Sequence, residues 1–276
     1  MPPTRYVDLD ALRVRPGKKP KLGKIDTNDY MGLDRDDEEA IRAALDARIE
    51  RQQSLMAAAE SHSVLVVLQG MDASGKDGTT RAITRELNPM LVNAIGFGTP
   101  TKPELAHDYL WRIHPHTPAR GEMAIFNRSH YEDDLVVRVD SLVPKKVWSA
   151  RYDQINAFEQ HLAENGTRIL KFMLHISLDE QLGRLRDRVH NPLKRWKHNP
   201  GDYDNRAKWD DYMDAYADAL AKTSTEHAPW YVIPADRKWA RNIAIMQAIV
   251  DDMESLGLKE PPFPKEVAAE LAEPPQ

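Results

Sequence analysis

The chain has 276 residues and no cysteine, so disulfide bonds and thiolate chemistry are excluded. It also lacks any apolar run approaching the ~18 residues that a membrane-spanning helix requires. The first ten residues, MPPTRYVDLD, contain no apolar segment of the kind found in secretory signals. These absences lead us to expect a soluble, cytoplasmic protein with no membrane partner.

An excess of positive charge is also missing. The chain carries 38 Lys and Arg residues against 43 Asp and Glu, a formal net charge of -5 at pH 7, which argues against a dedicated nucleic-acid binder. Residues 184–208 depart from this average, because they contain eight basic side chains and three acidic ones. The basic residues are Arg184, Arg186, Arg188, Lys194, Arg195, Lys197, Arg206 and Lys208, and the acidic ones are Asp187, Asp202 and Asp204.

The most informative pattern in the chain is VLVVLQGMDASGKDGTT, residues 64–80. Its apolar, β-branched start (64–68) predicts a strand buried on both faces of a parallel sheet. A GxxxxGK (Walker A) pattern follows directly: glycines let backbone N–H groups converge on phosphate oxygens, and the positive end of the next helix, predicted at 81–87, adds to the attraction. The residues predicted to bind phosphate here are Gly70, Ala73, Ser74, Gly75, Lys76, Asp77, Gly78, Thr79 and Arg81.

Two positions in this loop bear on metal binding. Asp77 stands where a Ser or Thr would normally bind Mg²⁺, so other groups must hold the metal. Asp72 is the candidate ligand, because a carboxylate inside the loop would repel bare phosphates unless it met Mg²⁺ or the incoming phosphate acceptor. Two alternatives stay open: Asp72 forms a turn by bonding its own backbone, or the GxxxxGK match is a chance one in a turn.

A third strand, predicted at 123–126, is followed by Asn127 and Arg128, with Glu132 and Asp133 shortly after. In most P-loop enzymes an acidic residue ends a strand beside the loop and orients the waters of the metal; here that position holds Asn127. An arginine beside a phosphate-binding loop is an electrostatic clamp for the moving phosphoryl group. We therefore predict a catalytic role for Arg128, with a structural ion pair as the alternative.

The remaining apolar periodicity predicts strands at 64–68, 91–97, 123–126, 168–176 and 230–233. Helices are predicted at 36–60, 104–113 and 144–165, and two more are predicted to be capped by Asp204 and Asp236. Residues 178–189 begin the basic segment. Residues 190–205, with two prolines and no periodicity, are predicted to form a mobile loop. The alternation of strands and helices predicts an α/β fold: a five-stranded parallel sheet covered on both faces, with a site at the carboxyl ends of its strands.

Three regions are predicted along the chain. Residues 1–60 form an N-terminal arm, up to about residue 35, and a helix that packs on the core; the arm is a solvated strap or contributes to anion binding. Residues 61–258 form the P-loop domain, with a basic lid at about 184–208 that closes over a polyanion and keeps out water. The alternative for the lid cations is a solvated helix face. Residues 259–276 form a loose, proline-rich tail.

Several separated motifs together resemble the family-2 polyphosphate kinases, over about residues 30–258. They are GMDASGKDGT (70–79), FNRSHYED (126–133), RLRDRVHNPLKRWK (184–197), AKWDDYMDAYADAL (207–220) and TSTEHAPWYVIPADRKWARN (223–242). The resemblance implies a P-loop kinase-like, three-layer fold with a helical lid, and usually a homo-oligomer. It also implies reversible, Mg²⁺-dependent phosphoryl transfer between inorganic polyphosphate and a nucleotide (AMP, ADP or ATP), with GMP and GDP as further candidates.

The resemblance also implies roles for single residues. Asp72 matches the loop aspartate of the family, Lys76 the loop lysine, Arg128 the strand-end arginine and Arg188 the lid arginine. Many members read DRSWYNR where this chain reads NRSHYED; this variant resembles the subclass that phosphorylates both AMP and ADP, and Glu132 would then help to place the nucleotide or the metal. The residues expected to line a track for polyphosphate are Lys76, Arg81, Lys102, Arg188 and Lys194.

Three other functions are alternatives to this one. An ATP-dependent nucleoside monophosphate kinase shares the fold and often a GxDxxGK loop, and it is the alternative enzyme. A nucleotide-dependent switch of the GTPase kind is disfavoured, because the chain has no NKxD motif for guanine. Nucleic-acid binding is weaker still.

Overall fold

A computed structural model describes residues 5–262 of the protein. Its centre is one sheet of five parallel strands in the order β2-β3-β1-β4-β5, as predicted. β1 lies in the middle, and its Leu68 is in register with Asn127 of β3 and Phe172 of β4. The carboxyl ends of these three strands therefore meet at one edge. The strands are β1 (Ser63–Gln69), β2 (Val92–Gly96), β3 (Met123–Asn127), β4 (Thr167–His175) and β5 (Trp230–Pro234).

Helices cover both faces of the sheet, which gives the predicted three layers. Successive side chains of β1 point to opposite faces: Val64 and Val66 pack in one core cluster with helices α2 and α10, whereas Leu65 and Val67 pack in the other with α6 and α9. The helices are α1 (Leu9–Leu12), α2 (Glu38–Ala59), α3 (Lys76–Ile83), α4 (Lys102–Leu105), α5 (Glu132–Val139), α6 (Lys145–Glu164), α7 (Leu178–His190), α8 (Gly201–Ala207), α9 (Trp209–Thr223) and α10 (Lys238–Ser255).

Several local predictions were wrong. The P-loop helix α3 begins at Lys76, directly after the loop, rather than at 81. The helix predicted at 104–113 is reduced to α4, followed by turns and a short 3-10 helix at His114–His116. Helix α5 was missed, because its eight residues span barely two turns of apolar periodicity.

Both predicted aspartate caps were also wrong. Asp204 lies inside α8, a short helix within the segment predicted to be a loop. The carboxylate of Asp236 bonds other elements instead of capping α10: it accepts the backbone N–H of Ser177 at 2.9 Å and the hydroxyl of Thr27 at 2.7 Å. Long-range partners therefore outcompeted the local cap.

The N-terminal arm crosses the core as a strap. The backbone N–H groups of Tyr6 and Val7 both donate to Oε1 of Gln247 on α10, at 2.7 and 2.9 Å. Further along, the N–H of Val14 donates to the carbonyl of Trp230 at 2.8 Å. The division into arm, core and tail stays a prediction, and most of the tail, residues 263–276, lies outside the described residues. Among residues 5–262, no helix is both long enough and apolar enough to cross a membrane.

Candidate active site

The P-loop connects β1 to α3 and has a backbone that only glycine permits at two positions. Gly70 has φ 145° and Gly75 has φ 107°. A Cβ atom on Gly70 would lie 2.7 Å from the carbonyl oxygen of Leu174, and one on Gly75 would collide with the guanidinium of Arg241. Ala73 between them also adopts a left-handed conformation, with φ 63°. The loop therefore curls tightly at the end of β1, where the pattern predicted a phosphate-binding turn.

Lys76, the first residue of α3, turns its side chain back into this loop. Its ammonium donates to the carbonyl of Gly70 at 2.6 Å, to the carbonyl of Met71 at 3.2 Å and to the hydroxyl of Ser74 at 3.5 Å. Burial and the nearby charge of Arg128 lower the pKa of Lys76 to about 8. The ammonium is held by neutral acceptors, so a phosphate in the loop would supply the full negative charge that it lacks.

Arg128 brings the predicted catalytic residues together. It follows β3 with a left-handed backbone, φ 65°, and its guanidinium contacts two carboxylates. Nη2 donates to Oδ1 of Asp72 at 2.5 Å, and Nη1 donates to Oε2 of Glu132 at 3.1 Å. Burial alone would raise the pKa of Asp72, but the charges of Lys76 and Arg128 lower it below its usual value. The ion pair given above as the alternative for Arg128 is therefore present, and the electrostatic clamp stays a prediction.

The segment predicted to be a lid lies over the loop through two further contacts. From α8, Asn205 donates Nδ2–H to Oδ2 of Asp72 at 2.8 Å. Lys197, in a 3-10 helix at Arg195–Lys197, pairs with Asp77, whose other oxygen accepts from Asn127 at 2.8 Å. Burial raises the pKa of Asp77, and its contacts with Lys197 and Asn127 bring it below the usual value. Asp72 and Asp77 thus connect the P-loop to residues 197–205.

Two arginines support the P-loop from behind. Arg184 of α7 donates to the carbonyls of Ala73 and Ser74 at 3.0 and 2.8 Å, and Arg241 of α10 donates to the same Ser74 carbonyl at 3.2 Å. Arg241 is 1% exposed, and burial, followed by the charge of Arg184, lowers its pKa to about 9. These two cations give the loop a positive potential, and they occupy the carbonyl oxygens of Ala73 and Ser74.

Other predicted site residues are dispersed. Arg188 pairs inside the lid with Asp202 at 2.5 Å, and Lys194 pairs with Asp187 at 2.5 Å on the outside of the lid. Thr79 is fully buried. Within residues 5–262, no hydrogen bond or ion pair connects the exposed side chains of Arg81 and Lys102, or the backbone of Gly78, to the rest of the P-loop.

Sequence reasoning missed four contributors to the site. Arg184 and Lys197 were present only as members of a basic segment, with nothing to single them out. Asn205 and Arg241 carried no local signal at all, because they meet the loop across 133 and 167 residues of chain. The hydrogen bonds that give them a role exist only after folding.

The donor groups fit a magnesium ion that takes most of its ligands from phosphates and water. Asp72 and Glu132 supply carboxylate oxygens around one guanidinium, and such hard oxygen donors suit Mg²⁺. The described part of the chain contains no group of three or more His, Asp or Glu side chains that could hold a metal. Magnesium in kinase sites needs only one or two protein carboxylates, so this arrangement is adequate.

Known proteins resemble this chain along most of its length. The family model described as Polyphosphate kinase 2 (PPK2) matches residues 32–261. The chain is 50% identical over 255 residues to the AMP/ADP-polyphosphate phosphotransferase of Meiothermus ruber, covering 92% of this chain and 96% of that protein. It is 41% identical over 269 residues to the ADP-polyphosphate phosphotransferase of Rhodopseudomonas palustris, covering 92% and 93%.

A solved structure agrees with these matches. The crystal structure of polyphosphate kinase 2 from Arthrobacter aurescens TC1 superimposes with a TM-score of 0.91 and 41% identity, covering 97% of each chain. The family match at residues 32–261 contains the P-loop, Arg128, Glu132 and the lid contacts described above.

Proposed function

The chain belongs to the polyphosphate kinase 2 family, and on that premise we propose that it transfers phosphoryl groups reversibly between inorganic polyphosphate and AMP or ADP. The observation that carries the proposal is the contact of Arg128 with both Asp72 and Glu132, beside a P-loop that holds Lys76. The names of the relatives favour polyphosphate over ATP as donor. GMP and GDP stay candidate acceptors.

The P-loop would bind the terminal phosphates of the polyphosphate chain. Lys76 would exchange its carbonyl partners for phosphate oxygens, and Arg128 would face the charge that develops on the transferring group. The acceptor needs no general base, because the second pKa of a phosphate monoester is about 6 and its oxygen is already deprotonated at neutral pH. The residues therefore contribute positioning and charge stabilisation rather than proton transfer.

Magnesium would be held by Asp72, with Glu132 as a second carboxylate. When bound, it neutralises phosphate charge and makes the phosphorus atom more electrophilic. Asp72 and Glu132 both contact Arg128 in this structure, so the same guanidinium would order the carboxylates and the transferring phosphoryl group.

The lid at about 184–208 would shield the reaction from water. Its contacts with Asp72 and Asp77 support a closed position over the loop. A homo-oligomer and a cytoplasmic location stay expectations, the first from the family resemblance and the second from the composition.

The test is a donor and acceptor matrix with purified protein. AMP, ADP, GMP and GDP are each incubated with Mg²⁺ and either long-chain polyphosphate or ATP, and the products are followed by chromatography. We expect ADP and ATP to form from AMP and ADP with polyphosphate, and we expect chelation of the metal to stop the reaction. Phosphorylation from ATP but not from polyphosphate would favour the nucleoside monophosphate kinase instead.

A further inference from the structure

A cluster of four polar side chains lies in the interior at the turn between β3 and α5, residues 128–131, here called the catalytic turn. The cluster consists of His130, Tyr131, Glu159 and Lys171, here called the buried quartet, and all four are 0% exposed. The ammonium of Lys171 lies 2.5 Å from Oε2 of Glu159 and donates to the phenol oxygen of Tyr131 at 2.9 Å. The phenol in turn donates to Oε1 of Glu159 at 2.9 Å, and Nε2 of His130 lies 3.2 Å from the same oxygen.

The quartet connects four elements of the fold. Glu159 comes from α6, Lys171 from β4, and His130 and Tyr131 from the turn between β3 and α5. The third bond of Lys171 goes to the carbonyl of Thr223 at the end of α9, 2.7 Å away. α9 is the helix that follows the lid, so the quartet fixes the catalytic turn relative to the sheet and to the lid helix.

Stability alone does not explain such a cluster. Removing two charges completely from water costs several kcal/mol per ion, and well-packed apolar residues are often as stabilising as a buried ion pair. The ion pair instead adds specificity, because its hydrogen bonds permit only one arrangement of the connected elements.

The connected turn carries the candidate catalytic groups. His130 and Tyr131 lie between Arg128 and Glu132 in the chain, and Tyr131 directly precedes the first residue of α5. Arg128 adopts a left-handed backbone that a residue with a side chain rarely takes, so its surroundings must hold it there. The turn is also held by the hydroxyl of Ser129, which accepts from Gln69 at 3.1 Å and from the N–H of Tyr131 at 3.2 Å.

We propose that the buried quartet is a positioning device for phosphoryl transfer, in which Glu159 and Lys171 act through Tyr131 to fix where the side chains of Arg128 and Glu132 lie. The inference rests on the proposed function and on the assignment of Arg128 to the site. Its consequence is that loss of the quartet lowers the rate of the chemical step while leaving substrate binding and the overall fold largely intact.

The test variant replaces the charged network by uncharged groups of similar size. It carries Glu159→Gln, Lys171→Met and Tyr131→Phe together, so that the phenol is not left without a partner and Nε2 of His130 keeps an oxygen beside it. We expect a melting temperature within about 5 °C of the wild type, kcat lower by at least about tenfold, and a KM for the acceptor nucleotide changed by less than about threefold. Unchanged kcat in a folded triple variant would overturn the proposal.

A matched control removes another ion pair on the same strand. Arg168 of β4 pairs with Asp252 of α10 at 2.5 Å, away from the catalytic turn. Arg168→Met with Asp252→Leu should leave kcat and KM unchanged. An equal loss of kcat in this control would also overturn the proposal, because the effect would then belong to any ion pair on β4.

A background that carries both Arg128→Ala and Glu132→Gln separates this inference from the site assignment. If the quartet acts through these two side chains, the triple substitution should cause little further loss of rate in that background. A full, multiplicative further loss would overturn the inference while leaving the site assignment intact. Arg128→Ala with wild-type activity would instead contradict the site assignment, and the inference with it.

Should the triple variant fail to fold, Tyr131→Phe alone decides the question. This change removes only the phenol oxygen and keeps the ring against Trp230, where the ring centroids are 4.8 Å apart. We expect kcat to fall at least about threefold with KM and melting temperature unchanged. Wild-type kcat in this variant would overturn the proposal.

Discussion

Lys76 is a cation in the interior whose direct hydrogen-bond partners are two carbonyls and a hydroxyl rather than a carboxylate. Such a group costs folding free energy, because burial removes its hydration without a full opposite charge in return. The ligand-free site therefore contains a positive charge that has no directly bonded anion, and a bound phosphate would supply that anion. Replacing this single residue should therefore lower the activity without lowering the stability of the protein.

Lys76→Met tests that separation. The variant keeps most of the length of the side chain and removes the charge, so we expect a melting temperature equal to or above that of the ligand-free wild type. Polyphosphate-dependent turnover should fall at least about a hundredfold, or about 2.7 kcal/mol of barrier. Calorimetry and a coupled assay measure the two effects. A stable variant with most of its activity would rule out the P-loop as the site.

The pH dependence of the reaction follows from the same residue. The pKa of Lys76 is about 8 in the ligand-free protein, so the charged form predominates below that pH and is lost above it. Since kcat/KM reports the free enzyme, its value for polyphosphate should fall as the pH rises through about 8. In Lys76→Arg the residual activity should show no such fall, because a guanidinium does not titrate in this range. The same alkaline fall in both proteins would assign it to another group.

Asp72→Asn distinguishes a metal ligand from a turn-forming residue. The amide keeps the shape and can still accept from Asn205, but it removes the charge that attracts Mg²⁺ and pairs with Arg128. We expect a folded variant with turnover reduced at least about a hundredfold, partly restored by excess Mg²⁺. Asp77→Asn is the control, since the carboxylate of Asp77 is exposed and contacts Lys197 and Asn127. The loss of turnover in this variant should be smaller than in Asp72→Asn. Near-wild-type turnover in Asp72→Asn would show that Asp72 is a turn-forming residue and not a metal ligand.

Among the elements, the lid departs most from its predicted arrangement. Its cations were expected to face polyphosphate as a group, but Arg188 and Lys194 pair with carboxylates of the lid itself. Lys197 instead pairs with Asp77 of the P-loop. Two of its cations are therefore neutralised within the lid, whereas Lys197 and Arg184 contact the phosphate-binding loop.

Lys197→Ala and Lys194→Ala should consequently differ. Neutralising Lys197 should lower kcat/KM for polyphosphate by about tenfold and reduce the salt dependence of polyphosphate affinity, because fewer counterions are released on binding. Lys194→Ala, which removes an exposed ion pair, should change kcat/KM by less than about twofold. Assays from low to high salt measure both slopes. Equal slopes in the two variants would place both lysines on a solvated face.

At the scale of the whole molecule, hydrogen bonds fasten the N-terminal arm to helix α10. Gln247 of α10 is fully buried and forms hydrogen bonds with the backbone of Tyr6 and Val7, fastening the N-terminal arm far from the P-loop. This contact belongs to stability rather than to the reaction.

Gln247→Met should therefore lower the free energy of unfolding by about 1–3 kcal/mol, because two buried N–H groups of the arm lose their acceptor. The kcat and KM values should stay within about twofold of the wild type. Urea denaturation and the coupled assay measure these effects. A large loss of activity in a stable Gln247→Met protein would show that the arm contributes to the site.

The sequence alone determined the α/β class, the order of the five strands along the chain and the P-loop with Asp72 and Lys76. These features depend on residues that are neighbours in the chain: an apolar strand, glycines that permit positive φ, and a helix that begins directly after them. Local pattern is enough for such units, because their conformation is decided within about 20 residues. The strand that directly precedes Arg128 predicted that residue in the same way, and the family resemblance added the identity of the donor.

Only the tertiary structure decided what surrounds that loop. Arg241 reaches Ser74, Asn205 reaches Asp72 and Lys171 reaches Glu159 only because the sheet and its helices bring distant segments into contact. The same competition explains the wrong cap at Asp236, whose carboxylate accepts hydrogen bonds from Ser177 and Thr27 instead of capping its own helix. A charged side chain takes the partner that folding places beside it, and its sequence neighbours do not say which partner that is.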